Sequence, residues 1–170
     1  MKNLKTLVAH PLFRIFQNPI FLFVMWMCIT LVCCIFKLAQ GRYNNFLIFR
    51  QSYWDALAQI SLYLENLNAY LYGISFTVLI APFAVLPIPL GMILWCLANT
   101  AFLYYAIRKL EPETWKFTLI IWVSANDLYE AMVYQQYNVG IAAMIILAFV
   151  CIEKKKDFWA ALFIVVGTMT

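Results

Sequence analysis

The sequence predicts an all-α protein built as a polytopic bundle of transmembrane helices. Hydrophobic residues make up 65% of the 170 residues and charged residues only 12%, whereas about 25% of the residues in an average soluble domain are charged. Uncharged runs of span length recur along the chain, and the positive charges gather between them. Because so few polar residues cannot cover a water-exposed surface, the chain needs a bilayer as its solvent.

The first element is a membrane span that follows a basic arm. The arm is 1–14, with Lys2, Lys5 and Arg14, and residues 15–36 carry no charge. As a helix, 15–36 reaches about 33 Å, enough to cross the hydrocarbon core. A cleaved signal peptide is the alternative, but the arm is long and no small-residue cleavage site follows the apolar run. The basic arm predicts a cytoplasmic N-terminus.

The most polar segment is a loop at 37–72, which carries only three of the twelve positive charges. By the positive-inside rule, this loop is expected outside the membrane. Apolar side chains recur within it at helical spacing, which predicts a short amphipathic helix on the membrane surface. These side chains are Phe46, Phe49, Tyr53, Leu57 and Ile60.

The uncharged segment 73–107 is interrupted by Pro82, Pro87 and Pro89, and proline ends or kinks a helix. Its first half reaches only about 21 Å as a helix, short of the hydrocarbon core. The second half is long enough to cross, with Pro89 in its first turn. We therefore expect one net crossing, with the first half re-entrant, interfacial or one limb of a kinked helix.

Three further membrane helices are predicted at 116–134, 138–152 and 158–170. The basic clusters at 108–116 and 154–156 separate apolar runs and are expected on the cytoplasmic side. The last run stops after thirteen uncharged residues, too few for a full crossing. This predicts that the chain is the N-terminal part of a longer protein.

Two carboxylates in a predicted membrane helix, Asp127 and Glu130, are candidate functional residues. A charge inside a bilayer is costly unless a cavity or a partner receives it. Their spacing places both on one helix face, about 16 and 21 Å along the helix from Lys116. Alternatively, the helix ends near Ser124 and both acids lie in a water-exposed hairpin.

Amides and one arginine are the candidate binding residues. Gln136 and Asn138 follow the acidic pair, and each amide offers donors and an acceptor to sugar hydroxyls or phosphate oxygens. Asn138 could instead be a helix N-cap. In the loop 37–72, Asn44, Asn45 and Arg50 flank aromatic residues, so the guanidinium could pair with an anionic headgroup. Alternatively, Arg50 only anchors the loop at the interface. By charge parity, the loop and the amides share one side of the membrane.

Other residue types exclude several functions. The basic residues form no stripe for nucleic acid, so no nucleic-acid partner is expected. The five cysteines lie in apolar runs without a neighbouring histidine, and no Asp-x-Asp occurs. No metal site is therefore predicted, and a requirement for a divalent metal is left open.

Three strings carry a family resemblance: YNNFLIFRQSYWDAL, LYGISFTVLIAPFAVLPIPLGMILWCLANTAFLYYAIRKL and QQYNVGIAAMIILAFVCIEKKKDFWAALFIVVGT. They resemble glycosyltransferase family 87, especially members of the Bacteroidetes type. The residues that match the family's motifs are Asn44, Asn45, Phe46, Phe49, Pro82, Phe83, Leu86, Pro87, Gln136 and Asn138. The likeness covers most of 42–170.

The resemblance implies a GT-C fold and a mannosyltransferase-like activity in a bacterial inner membrane. The donor would be a sugar, mannose-like or a pentose, on a polyprenyl phosphate, and the acceptor an extracytoplasmic glycan or lipid. In this family type a carboxylate of the first external loop acts as the base. Asn45 occupies that place, and a neutral amide cannot accept the proton. Asp55 is then the leading base candidate, and Glu65 and Asp127 are further candidates.

The resemblance also assigns Arg50, Gln136 and Asn138 to the lipid phosphate and the sugar, and it makes membrane lipid and lipid-linked sugar the expected partners. A different class of function is also open, namely a polytopic transporter or lipid-handling protein without transferase activity. In that case the proline-broken segment and the pair Asp127 and Glu130 would line a pathway.

Overall fold

The computed structural model describes residues 14–63 and 70–170, and every regular element in these two ranges is helical. The all-α prediction is therefore confirmed for this part of the chain. A 3₁₀ turn at Ile15–Gln17 precedes eight α-helices within the same ranges. They are α1 (Pro19–Gln40), α2 (Asn44–Leu57), α3 (Phe76–Ala84), α4 (Ile88–Lys109), α5 (Thr114–Val123), α6 (Ala125–Val133), α7 (Asn138–Glu153) and α8 (Asp157–Met169).

The ends of α1 are set by capping residues, while its apolar run alone would place them elsewhere. The Asn18 side chain accepts hydrogen bonds from the backbone N–H groups of Ile20 and Phe21, at 2.8 and 3.3 Å. The helix therefore begins four residues after the predicted start. It ends at Gln40, and the next residue, Gly41, has a φ of 64° in the left-handed region that glycine adopts readily. Lys37 is consequently inside the last turn, beyond the predicted boundary at residue 36.

The amphipathic helix predicted in the loop is α2, but its buried face is shorter than the pattern indicated. Phe46 and Phe49 are buried, and the third buried residue is Ser52, which donates to the Phe49 carbonyl oxygen at 2.7 Å. Leu57 and Ile60 are exposed. The helix ends at Leu57, so the predicted row of apolar side chains continues beyond the part of α2 that packs on α3.

Prolines break the 73–107 segment as expected, and the two pieces form a tight helical hairpin. Pro82 lies near the end of α3, and Pro87 precedes the first residue of α4. The close approach requires Gly91, because a Cβ there would lie 2.4 Å from the Phe83 carbonyl oxygen. The hairpin thus folds a nine-residue helix back on a 22-residue one.

The helix predicted at 116–134 is divided at Ser124 into α5 and α6. The indole N–H of Trp26 in α1 donates to the Ile121 carbonyl oxygen, at 3.2 Å, next to this break. The first of the two helices, α5, therefore ends just before Ser124, where the alternative interpretation of this segment placed the helix end. Asp127 and Glu130 lie on the second helix, α6, and both are exposed. The structure therefore agrees with the alternative in the helix end and in the exposure of the two acids, and differs from it in placing them on a helix.

The core is organised around α4, which packs against α1, α3 and α7. Thr30 of α1 and Thr100 of α4 share a hydrogen bond of 2.7 Å in this core, so two buried hydroxyls satisfy each other. In the described ranges, α1 and α4 are long and apolar enough to cross a membrane, and α7 and α8 are shorter apolar helices.

Candidate functional site

Polar contacts define two ends of the helix bundle. At the amide end, the start of α2 meets the turn between α6 and α7. At the basic end, the α4–α5 loop meets the α7–α8 loop. The ring of Trp95 packs at the amide end, and Arg108 lies thirteen residues further along α4, about 20 Å by helical rise.

The amide end is joined by Asn45, whose Nδ2 donates to the Tyr134 carbonyl oxygen at 2.7 Å. The Lys37 ammonium also lies 5.5 Å from the centre of the Tyr134 ring. The first loop and the amide turn, which charge parity assigns to one side of the membrane, are therefore in contact. Neither Lys37 nor Tyr134 was singled out in the sequence, because their contact joins segments almost a hundred residues apart.

The three amides of the turn have different environments. Gln135 has a φ of +50°, and its buried side chain donates to the Val133 carbonyl oxygen at 2.7 Å, so it shapes the turn. Gln136 is half-buried, and its Oε1 accepts a hydrogen bond from Asn138 Nδ2 at 3.2 Å. Tyr137, and not Asn138, occupies the N-cap position of α7. The interpretation of Asn138 as an N-cap is therefore wrong, and its exposed amide is available to a ligand.

Four predicted site residues line one cavity of about 420 Å³ between α4, α5, α6 and α7, called here the inter-helix cavity. They are Asp127, Glu130, Gln136 and Asn138. Most of the remaining wall is apolar, with Leu103 and Ile107 from α4 and Ile146 from α7 among its residues. Gln136 and Asn138 lie at the α6–α7 turn, and the two carboxylates lie along α6, with Asp127 in its first turn. Apolar lining residues continue along α4 toward the basic end.

The charge of the inter-helix cavity is negative. Among the described residues, its lining contains two carboxylates and no lysine or arginine. An anionic group placed among them would be repelled, because like charges a few ångströms apart interact unfavourably. Hydroxyl groups, in contrast, can donate to carboxylates and exchange hydrogen bonds with amides. The cavity is therefore suited to a neutral polyol more than to a phosphate.

The other predicted residues of α2 are not part of this cavity's wall. The Arg50 guanidinium lies 6.0 Å from the centre of the Trp54 ring, and its buried Nε makes no hydrogen bond within the described residues. Asp55 accepts from Gln51 at 2.7 Å and lies about 15 Å along the helix from Asn45. Asn44 is exposed. Glu65 lies outside the described residues.

A cluster of aromatic rings packs beside the amide end and joins α2, α3, α4 and the start of α7. The Tyr137 ring stacks on Trp95 with 5.4 Å between centres and meets Phe76 at 5.1 Å. Phe49 connects α2 to the same group through Phe76 and Trp95. The cluster was not predicted, since its members come from four separate segments and share no local spacing. Beside it, burial raises the pKa of Tyr70 to about 12.

The basic end is joined by an ion pair. Lys154 Nζ lies 2.5 Å from Glu111 Oε1, and this hydrogen bond lowers the pKa of the Glu111 carboxyl below its ordinary value. The two basic clusters that charge parity assigns to one side of the membrane thus contact each other.

In residues 14–63 and 70–170 every regular element is helical, and two of the helices are long and apolar enough to cross a membrane, which is the pattern of the class of helical membrane proteins. Residues 70–170, more than half of the chain, match the family model of glycosyltransferase family 87. The chain belongs to that family. No curated protein and no solved structure matches it.

Proposed function

We propose that this chain is part of a GT-C-type membrane glycosyltransferase that moves a sugar from a polyprenyl-phosphate donor to an extracytoplasmic acceptor. The observation that carries the proposal is the grouping of Asp127, Glu130, Gln136 and Asn138 in one cavity, within the segment that matches the family. Family membership favours a transferase over a transporter. A mannose-like sugar or a pentose is the donor sugar that we propose to test first.

In this proposal, the hydroxyl groups of the substrates and the lipid phosphate bind to differently charged parts of the amide end. The inter-helix cavity, with its carboxylates and amides, receives the hydroxyl groups of the acceptor and the sugar. Cationic groups outside the lining of this cavity lie on α1 and α2, namely Lys37 and Arg50, and the buried Nε of Arg50 has no hydrogen-bond partner within the described residues. A guanidinium is well suited to a phosphate. Arg50 therefore holds the lipid phosphate in our proposal, outside the negative cavity.

The chemical step is an inverting transfer. A cavity carboxylate, Asp127 or Glu130, takes the proton from the acceptor hydroxyl, and the hydroxyl oxygen attacks the anomeric carbon. The bond from that carbon to the phosphate oxygen breaks, and the polyprenyl phosphate leaves with the electron pair. Arg50 stabilises the charge on the leaving phosphate. Gln136 and Asn138 hold the sugar hydroxyls.

The base is tested by transfer assays in membranes with polyprenyl-phosphate mannose and a polyprenyl-phosphate pentose. We expect the D127N/E130Q variant to lose about 10²- to 10⁴-fold in kcat, the usual contribution of a general base, with little change in the donor KM. The matched control is D157N, an exposed acid at the start of α8. If D55N loses activity while D127N/E130Q keeps the wild-type rate, the base is Asp55 and the cavity assignment is wrong.

The phosphate contact is tested separately with R50Q. We expect the donor KM to rise about tenfold or more, because hydrogen bonds to charged groups contribute about 1.5–3 kcal/mol. R42Q is the control, since it removes one positive charge from the α1–α2 turn without touching the buried N–H of Arg50. Equal effects of the two variants would mean that only the net charge of the loop matters, contrary to the proposal.

A further inference from the structure

A second cavity, of about 550 Å³, opens at the basic end between α1 and the last turns of α4. Phe23 of α1 and Ala101 and Tyr105 of α4 form an apolar part of its lining. Arg108 and Lys109 also line it, and because they lie in the last turn of α4 we call this part of the cavity its rim. We call it the basic-end cavity. It is lined by none of the residues of the proposed transferase site, so the inference drawn from it does not depend on the proposed function.

Within the described residues, neither of the two rim cations takes part in the salt bridges found, although, after the hydrogen bond from Lys154, the charge of Lys109 also helps to lower the pKa of Glu111. The salt bridges found in 14–63 and 70–170 are Glu113 with Lys116 and Glu111 with Lys154. Arg108 and Lys109 instead lie over aromatic rings, each with 5.1 Å to the ring centre. The acid at the rim, Glu111, is already paired with Lys154. The rim therefore keeps a net positive charge that an anion can match.

The length of the cavity along α4 indicates how far a ligand bound at the rim extends into the bundle. Ala101 lies eight residues before Lys109, which corresponds to about 12 Å of helix. Basic residues at the end of a spanning helix place their charges at the level of the lipid headgroups. Below them, the apolar wall lies beside the acyl region. A free phosphate ion would pair with the rim but leave this wall without a partner.

We propose that the basic-end cavity is a binding site for an anionic phospholipid. Arg108 and Lys109 bind the headgroup phosphate, and the first part of an acyl chain lies against Phe23, Ala101 and Tyr105. The occupant is a structural lipid of the leaflet at this end, whereas the substrate lipid of the proposed transferase binds at the amide end. Bound lipid joins α1 to α4, the two span-length helices.

The test is native mass spectrometry of the full chain, purified in detergent with equal amounts of phosphatidylglycerol and phosphatidylcholine. We expect the wild type to retain phosphatidylglycerol preferentially. Each basic residue removed lowers such binding about fivefold, so R108Q/K109Q loses about twenty-five-fold of the preference. The variant R108K/K109R keeps the charges and is expected to keep most of it.

The matched control is K155Q/K156Q, which removes the same charge from the α7–α8 loop at the same end, outside the cavity wall. It is expected to retain the wild-type preference within about twofold. Equal losses in both double variants would show a diffuse surface effect and overturn the proposal. Displacement of the bound lipid by millimolar inorganic phosphate would overturn the lipid assignment, and a wild type without any preference would overturn the site. Gel filtration of each variant checks that it remains folded.

Discussion

The two ends of the bundle are built on different interactions. The amide end is held by buried rings and a side-chain contact to a backbone carbonyl, from Asn45 to Tyr134. The basic end is held by an exposed ion pair between Glu111 and Lys154. Buried aromatic packing is geometrically specific, while exposed ion pairs contribute little to stability. The end that positions the candidate catalytic groups is therefore the more rigidly specified one.

The two cavities also differ in the chemistry of the ligand that each one suits. The inter-helix cavity carries carboxylates and amides at its polar end, and the basic-end cavity carries cations at its rim. A hydroxyl-rich substrate suits the first and an anionic headgroup suits the second.

The largest effect is expected from labelling the two ends with a membrane-impermeant thiol reagent. In a background without native cysteines, N44C and N138C should both label from one side of the membrane and K155C only from the other. All three wild-type residues are exposed, so access depends on sidedness alone. Labelling of N44C and N138C from opposite sides would contradict the common site at the amide end.

Removal of the Trp95 ring should destabilise the amide end most strongly. Trp95 is 3% exposed and its ring meets those of Phe49, Phe76, Phe83 and Tyr137. We expect W95A to lower the free energy of unfolding by about 3–5 kcal/mol, measured by thermal unfolding in detergent. The control W159A removes a half-exposed ring of α8 and should cost much less. Similar losses in both variants would contradict the role of the cluster.

A methyl group at Gly140 should disturb the amide end without removing any contact. Its Cβ would lie 2.3 Å from the Tyr137 ring and 2.7 Å from Asn99 Oδ1. We expect G140A to cost about 1–3 kcal/mol through overpacking and to lower transferase activity. In the control G167A, the nearest atom to the new Cβ is Met144 Sδ at 3.5 Å, an ordinary contact. If G140A is as stable as G167A, the close approach of α4 and α7 is not required.

The smallest effect is the pH dependence of the basic end. The hydrogen bond from Lys154 lowers the pKa of Glu111 from its ordinary value of 4.5. The stabilisation is therefore complete above about pH 4.5 and is lost as the pH falls through the lowered pKa, where the carboxylate becomes protonated. The difference in thermal stability between wild type and E111Q should shrink as the pH is lowered from 6 toward 3, about the range of this titration. A difference that grows on acidification would contradict the ion pair.

Much of the fold was predictable because its causes are local. Pro82, Pro87 and Pro89 predict the break between α3 and α4 from their missing N–H groups, and α4 begins one residue before Pro89. The apolar run predicts both ends of α1 incorrectly, because Asn18 and Gly41, whose capping is also a local signal, set the ends of the helix. The division at Ser124 has no such signal, since the neighbouring contact comes from Trp26 on a distant helix.

The candidate site likewise combines residues that the sequence identifies with an arrangement that depends on contacts between distant helices. Their polarity in an apolar context marks Asp127, Glu130, Gln136 and Asn138 as candidates, and all four line one cavity in the structure. Arg50 is predicted from its aromatic neighbours in the polar loop and Asp55 from the family resemblance, and both lie on α2, outside the lining of this cavity. Polarity marks a residue as unusual, but it does not say which helix face points toward the cavity.

The sequence by itself determined the helical class, the order of the elements and the family. These follow from composition, proline positions and motif order, which do not depend on tertiary contacts. Only the tertiary structure decided that Asn45 meets Tyr134 and that the aromatic cluster lies beneath the amide turn. It also decided that two cavities of opposite charge lie between the helices. The reason is physical: these features are contacts between helices far apart in the chain, and they depend on which faces pack together and how closely the backbones approach.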